Sequence, residues 1–176
     1  RVKQGQRIAL KIRAVRAGLV AAADRFATSP EKVAVLMAEG RTFIAGADIT
    51  EFGKPPQPPH LPDAIQRIES LEKPVVCVIH GTALGGGFEV ALGCHYRVML
   101  YGARVGLPEV NLGLIPGAGG TQRLPRLIGI VPAAEIFTTA NQVKAEDCLA
   151  LGIVDELSNA DPFEAGMTFA RKVLAE

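Results

Sequence analysis

Two runs, Val33-Ala34-Val35-Leu36-Met37 and Val75-Val76-Cys77-Val78-Ile79, are apolar at every position. A strand with one wet face alternates apolar and polar residues, so an unbroken apolar run of strand length predicts burial on both faces, as in a parallel sheet covered by helices. The segments around these runs have helical spacing. Val15, Leu19, Ala22 and Phe26 mark one face over residues 14–26, and Leu61, Ile65 and Ile68 mark another. Residues 88–94, 121–128, 132–139 and 145–151 read as further helices. Asp161-Pro162 starts a final helix, by capping and by the fixed dihedral of proline, with Phe163, Met167, Ala170 and Leu174 on its apolar side. Residues 8–12, 96–100, 104–107 and 154–157 read as additional strands. Helix and strand alternate throughout, which gives an α/β class with a largely parallel sheet.

The chain of 176 residues, 48% apolar, has material for one sizeable core, so residues 1–176 form one domain. A net charge of +1 argues against a protein that coats nucleic acid through bulk electrostatics, and no nucleic-acid partner is expected. Locally, Arg1, Lys3, Arg7, Lys11, Arg13, Arg16 and Arg25 face only Asp24 among nearby acids. That cluster reads as a solvated basic helix face, with a site near ligand phosphates as the alternative. Cys77, Cys94 and Cys148 are an odd number without close pairing and read as reduced, buried thiols. No apolar run reaches the roughly 18 residues of a membrane helix, and the polar, basic start lacks a secretory pattern, so a bacterial cytoplasm or an organelle matrix is expected. The Pro-rich residues 55–62 read as an exposed loop.

The chemistry concentrates where the second apolar run ends, in His80-Gly81-Thr82-Ala83-Leu84-Gly85-Gly86-Gly87-Phe88-Glu89. Glycines at a strand-to-helix junction bare backbone N–H groups that have no intrahelical partner, and the helix dipole adds partial positive charge there. Phosphate or a developing oxyanion suits such a place. A P-loop needs Gly-Lys-Ser/Thr, the dinucleotide fingerprint needs Gly-x-Gly-x-x-Gly, and a serine elbow needs Gly-x-Ser-x-Gly; none is present. For the loop alone, a purely structural role in close helix–strand packing stays open. Glu89 falls three residues after Gly86 and projects over the same mouth, although by itself it could serve only the helix dipole. Glu109 follows Pro108 within Val105-Gly106-Leu107-Pro108-Glu109-Val110, an apolar setting that disfavours the charged carboxylate and raises its pKa toward a range useful for proton transfer. Two such carboxylates flanking an activated carbon can move two protons without a metal.

With these motifs the chain resembles the crotonase superfamily, the enoyl-CoA hydratases and isomerases. The matching stretches are Phe43-Ile44-Ala45-Gly46-Ala47-Asp48-Ile49, the His80–Glu89 segment, and the run from Gly106 through Pro116-Gly117-Ala118-Gly119-Gly120 to Leu124. Residues 91–97 and 103–109 are most similar to the N-terminal hydratase/isomerase part of multifunctional β-oxidation enzymes fused to a 3-hydroxyacyl-CoA dehydrogenase. The resemblance implies a crotonase-like spiral of ββα repeats with C-terminal helices. It implies an acyl-CoA thioester as substrate, no cofactor of its own, NAD only if a dehydrogenase is attached, and either a trimer-type homo-oligomer or a covalent fusion. By residue it implies Glu89 and Glu109 as catalytic carboxylates and the N–H groups of Ala47 and Gly86 as the oxyanion hole, with Ala45, Asp48, Ile49 and Gly117 beside the substrate. It also implies hydration of 2-trans-enoyl-CoA, with Δ3-Δ2-enoyl-CoA isomerisation at the same site.

The chain departs from the family pattern between Ile12 and Val15, where members carry a connecting loop near the CoA site, and near Glu176, where single-function members continue. At the first, either the loop is deleted or residues are missing from this sequence, and missing residues are expected because a strand cannot turn into a helix packed on its own sheet without a connection; the second fits part of a longer protein. The alternatives are a non-catalytic acyl-CoA- or RNA-binding relative, and another acyl-CoA reaction such as hydrolysis, decarboxylation or dehalogenation. His60, His80 and His95 lack metal-ligand spacing and read as structural, and no metal site is expected. Arg123 and Arg126 read as structural ion pairs or solvated contacts.

Overall fold

The computed structural model describes residues 13–46, 55 and 57–175, with the backbone only for Arg13. The expected first strand at residues 8–12 lies outside the described residues. Helix α1 (Arg13–Thr28) leads into strand β1 (Ala34–Leu36), then α2 (Leu61–Glu69), β2 (Val75–Ile79), β3 (Thr82–Leu84) and α3 (Gly86–Leu92). Strands β4 (Tyr96–Leu100) and β5 (Arg104–Gly106) follow, then a 3-10 helix (Pro108–Leu112), α4 (Gly120–Ile128) and α5 (Ile130–Thr139). The chain closes with β6 (Val143–Lys144), α6 (Ala145–Leu151), β7 (Glu156–Ser158) and α7 (Pro162–Ala175).

The strands form two sheets. One is parallel throughout, in the order β1-β2-β4-β7; the other, β3-β5-β6, is parallel between β3 and β5 and antiparallel between β5 and β6. Each of β2 and β4 leaves the first sheet and turns directly into a strand of the second, β3 and β5, before a helix returns the chain. Ile44, bridged in parallel to Ala83, does the same for the turn of chain that begins with β1. This is the ββα spiral that the resemblance implies. Alternate β2 residues explain why the run is wholly apolar. Val76 and Val78 pack with Val98, Ala165, Phe169 and Ala170 on the α7 side, while Val75, Cys77 and Ile79 face the larger core with Ile65, Ile68 and Phe88. Each fully buried Val or Ile contributes about 1.5–3 kcal/mol.

Several local expectations need correction. Strand β1 is half-buried along its length rather than closed on both faces, because among the described strands it sits at the sheet edge with β2 on one side. The glycine loop contains β3, since the second sheet takes Thr82–Leu84 as a strand. The Pro-rich segment yields to α2 at Leu61, with Pro62 in its first turn. The basic helix face is not uniformly solvated either. Arg16 is only 7% exposed and donates from Nε to the Pro59 carbonyl at 2.8 Å and from a terminal nitrogen to that of Gln57 at 3.2 Å. Lys73 donates to the carbonyls of Phe26, Ser29 and Glu31 at 2.8, 2.6 and 3.2 Å, so a half-buried ammonium satisfies acceptors at and just beyond the end of α1. Asp161 caps α7 as expected, accepting from the N–H groups of Phe163 and Glu164 at 2.9 and 3.2 Å. Among the described residues, no helix is long and apolar enough to cross a membrane.

Helix α7 seats on the sheet through Gly166, where a Cβ would lie 2.5 Å from Val35 Cγ1 and 2.8 Å from Val78 Cγ2. Both neighbours are β-branched and stiff. Gly166→Ala gains about 1 kcal/mol of helix propensity yet overpacks this contact, and the expected net result is destabilisation by about 1–2 kcal/mol. A urea midpoint that stays level or rises would show that the helix is not seated this closely.

Candidate active site

Glu89 lies in the first turn of α3, immediately after the glycine run. It is 2% exposed, and its Oε1 accepts N–H bonds from Ala118 and Gly120, both at 2.8 Å. The bland alternative for a helix-start carboxylate is to serve its own helix dipole. Instead Glu89 sits on the N-terminus of the next one, because Gly120 opens α4. The approach is close: a Cβ on Gly120 would lie 3.1 Å from Glu89 Cγ and Oε1. Burial pushes the Glu89 pKa up, and the two N–H bonds and the nearby Arg123 charge pull against it.

Glu109 is the second residue of the 3-10 helix, brought in by β5 and Pro108. Its carboxylate lies over Gly85, where a Cβ would stand 2.8 Å from Oε1. Gly85 also needs its φ of 52°, so glycine is required there on two grounds. Glu109 Oε2 is buried and has no hydrogen-bond partner among the described residues. Burial raises this pKa as well, a hydrogen bond from its own backbone N–H pulls against the rise, and the Glu89 charge adds to it. The direction matches the sequence expectation. Of the flanking residues Val105 and Leu107 are fully buried while Val110 is 42% exposed, and the Gly85 turn closes on the carboxylate from across the chain.

Gly86 is the first residue of α3, so its N–H has no acceptor within the helix. The Ile44–Gly46 segment runs against this turn: Leu84 N–H bonds the Ile44 carbonyl at 3.0 Å, and a Cβ on Gly87 would come within 2.2 Å of that same oxygen. Ala45 is exposed on this segment, and a Cβ on Gly85 would lie 3.9 Å from Gly46 Cα. Gly117 is exposed, one residue before the Ala118 N–H that binds Glu89. Ala47, Asp48 and Ile49 lie outside the described residues. Of the expected set, the fold thus gathers Glu89, Glu109, Gly86, Ala45 and Gly117 around the β3–α3 turn. Sequence reasoning passed over the donors Ala118 and Gly120 and the seat at Gly85, although the glycine-rich Gly117–Gly120 run carries the same bare-backbone signal that drew attention to Gly85–Gly87.

Other chemistry-bearing residues have structural settings. His95 accepts the Val75 N–H on Nδ1 at 3.1 Å, which leaves Nε2–H to donate to the Leu71 carbonyl at 3.1 Å. The cysteines are free and buried; burial raises the Cys77 thiol well above its usual range and pushes Cys148 up to about 12. Among the described residues no group of three His, Cys, Asp or Glu could hold a metal ion.

A ββα spiral whose glycine turn carries one buried and one half-buried carboxylate, both of raised pKa, beside bare backbone donors is an arrangement suited to acid–base chemistry. The enoyl-CoA hydratase/isomerase family model matches residues 12–175, and the chain belongs to that family. It is 48% identical over 164 residues to a peroxisomal bifunctional enzyme of Danio rerio, with 93% of this chain and 23% of that protein covered. It is 45% identical over 127 residues to a probable enoyl-CoA hydratase of Bacillus subtilis strain 168, covering 68% of this chain and 49% of that one. The crystal structure of an enoyl-CoA hydratase from Bacillus anthracis superposes with a TM-score of 0.85 at 31% identity, over 96% of this chain and 68% of that chain. The chain therefore spans less than a quarter of the Danio rerio relative and about half of the Bacillus subtilis one.

The raised pKa of Glu109 has a consequence for stability. The folded state holds this proton more tightly than the unfolded chain does, so the associated stability is full at low pH and is lost as pH rises through the folded pKa. Glu109→Gln removes that loss. Its melting temperature by calorimetry is expected to exceed wild type at neutral pH, by about 2–4 °C for each kcal/mol recovered, and to converge with wild type below the ordinary carboxylate range. A lower melting temperature at neutral pH would contradict this assignment.

Proposed function

We propose that the chain catalyses hydration of 2-trans-enoyl-CoA to 3-hydroxyacyl-CoA, as the hydratase/isomerase domain of a larger β-oxidation protein. The observation that carries the reading is the pair of carboxylates at one glycine turn, Glu89 buried and Glu109 half-buried. Glu89 is fixed on one oxygen by two N–H bonds, and Glu109 presents a buried oxygen with no partner among the described residues. Both raised pKa values suit groups that exchange protons near neutral pH.

In this mechanism the thioester oxygen of the acyl-CoA sits on the Gly86 N–H at the start of α3, with Ala47 as the second donor on the strength of the family resemblance. The bonds to Ala118 and Gly120 hold Glu89 Oε1, so its other oxygen takes a proton from the attacking water while the water oxygen bonds to C3. The π electrons of the C2=C3 bond move toward the thioester, giving an enolate-like charge that the oxyanion hole stabilises. Glu109, protonated at the outset, then delivers that proton to C2, and the proton taken up by Glu89 passes to Glu109 to reset the pair. Hydroxyl adds at C3 and hydrogen at C2, with no net redox change and no cofactor. Shuttling a proton between C2 and C4 through Glu109 alone accounts for Δ3-Δ2-enoyl-CoA isomerisation at the same site. Ala45, Asp48, Ile49 and Gly117 are assigned to the substrate side. The relatives named bifunctional support a covalent fusion as the larger setting, and their peroxisomal names support an organelle matrix.

Turnover of crotonyl-CoA and longer 2-trans-enoyl-CoA thioesters, followed by loss of the conjugated thioester absorbance, tests the reading. Glu89→Gln is expected to lower kcat by at least about 100-fold, in the range typical of a lost general base. Wild-type protein that binds these thioesters without hydrating them, or a Glu89→Gln variant with unimpaired turnover, would overturn it.

A further inference from the structure

Arg123 on α4 reads from the sequence as a structural ion pair or a solvated contact, yet its guanidinium is engaged on three sides. Nε donates to Glu69 Oε1 at 3.0 Å, one terminal nitrogen donates to Glu69 Oε2 at 2.6 Å, and the other donates to the Ala118 carbonyl at 3.0 Å. Glu69 is the last residue of α2, and its pairing with Arg123 is the main reason its pKa is lowered. Ala118 is thereby held at both ends: its N–H binds Glu89 Oε1 and its C=O accepts from Arg123. The terminal nitrogen that donates to Ala118 also comes up against Gly119, where a Cβ would fall 2.1 Å from it and where φ is 98°. The turn can take this shape only with glycine at that position.

We propose that Arg123, braced by Glu69, is a positioning residue for Glu89, clamping the Ala118–Gly120 turn so that both of its N–H groups stay aimed at one carboxylate oxygen. The proposal rests on the reading of Glu89 as the general base. The part requires arginine, because a lysine ammonium keeps the charge but cannot hold a carboxylate with a planar fork while reaching a third acceptor. Arg123 has a second influence on the same group through space, since its charge favours the Glu89 carboxylate. A mere tether between α2 and α4 would do neither.

Steady-state kinetics and a 13C NMR titration of the Glu89 carboxyl, on wild type and on the Arg123→Ala, Arg123→Lys and Glu69→Gln variants, separate these roles. Arg123→Ala is expected to lower kcat by up to about 100-fold with little change in KM, the scale of a displaced catalytic group. It should also move the acid limb of kcat/KM, and the NMR midpoint of Glu89, to higher pH. Arg123→Lys should return the midpoint toward wild type while kcat stays low, and Glu69→Gln should lower kcat with KM unchanged. If Arg123→Ala does not fold, the other two variants carry the test. Folded variants that lose only thermal stability, with wild-type kcat, acid limb and Glu89 midpoint, would overturn the proposal. If wild type itself fails to hydrate enoyl-CoA, the functional reading fails, and the NMR midpoints still decide whether Arg123 controls Glu89.

Discussion

The Gly85–Gly87 turn and the Ile44–Gly46 segment meet with backbone against backbone, and the rest of the site is built on that contact. The Ile44 carbonyl accepts from Leu84 and lies where a side chain at residue 87 would begin. Successive turns of the spiral therefore stack at van der Waals distance, which starts α3 at the rim of the second sheet rather than farther out in solvent. An N–H at Gly86 that has no acceptor within its helix and a carboxylate at Glu89 then share one mouth because they share one helical turn. The chain path fixes the active-site geometry through main-chain packing, and backbone packing is less deformable than side-chain packing.

Glu89 is buried and Glu109 half-buried, and they are handled differently. Glu89 has its burial partly offset by two N–H bonds from the start of α4 and by a nearby arginine; Glu109 has a buried oxygen without a partner among the described residues and a like charge close by. One carboxylate is held in place and the other is kept uncomfortable, a division that suits two groups moving protons in the same reaction. Discomfort of this kind lowers folding stability and is usual where a protein must keep a reactive group ready.

Support for Glu89 is assembled from elements far apart in the chain. The carboxylate is on α3, its donors come from the loop into α4, and the arginine that steadies the loop is held by the last residue of α2. Each element is short, and several begin or end on glycine, so what order they have comes from packing rather than from intrinsic helix strength. Deep apolar contacts such as Ile65 beneath Gly93 and Leu107 beside Gly120 keep these short pieces in register.

Much of this protein was legible in its residues. The unbroken run Val75–Ile79 required cover on both faces, Asp161-Pro162 marked the start of α7, and the glycine run followed by Glu89 marked where chemistry would sit, because each signal depends on neighbours a few residues away. The family motifs added the spiral and the pairing of Glu89 with Glu109. What the linear order could not show was contact between distant segments: Gly85 as the seat of Glu109, Ala118 and Gly120 as donors to Glu89, Arg16 turned inward to the Pro59 carbonyl, and β1 left half-buried at a sheet edge. Local periodicity specifies which face of an element is apolar, while the partner of a polar group is set by where the spiral returns. That return depends on long-range packing, so only the tertiary structure decided it.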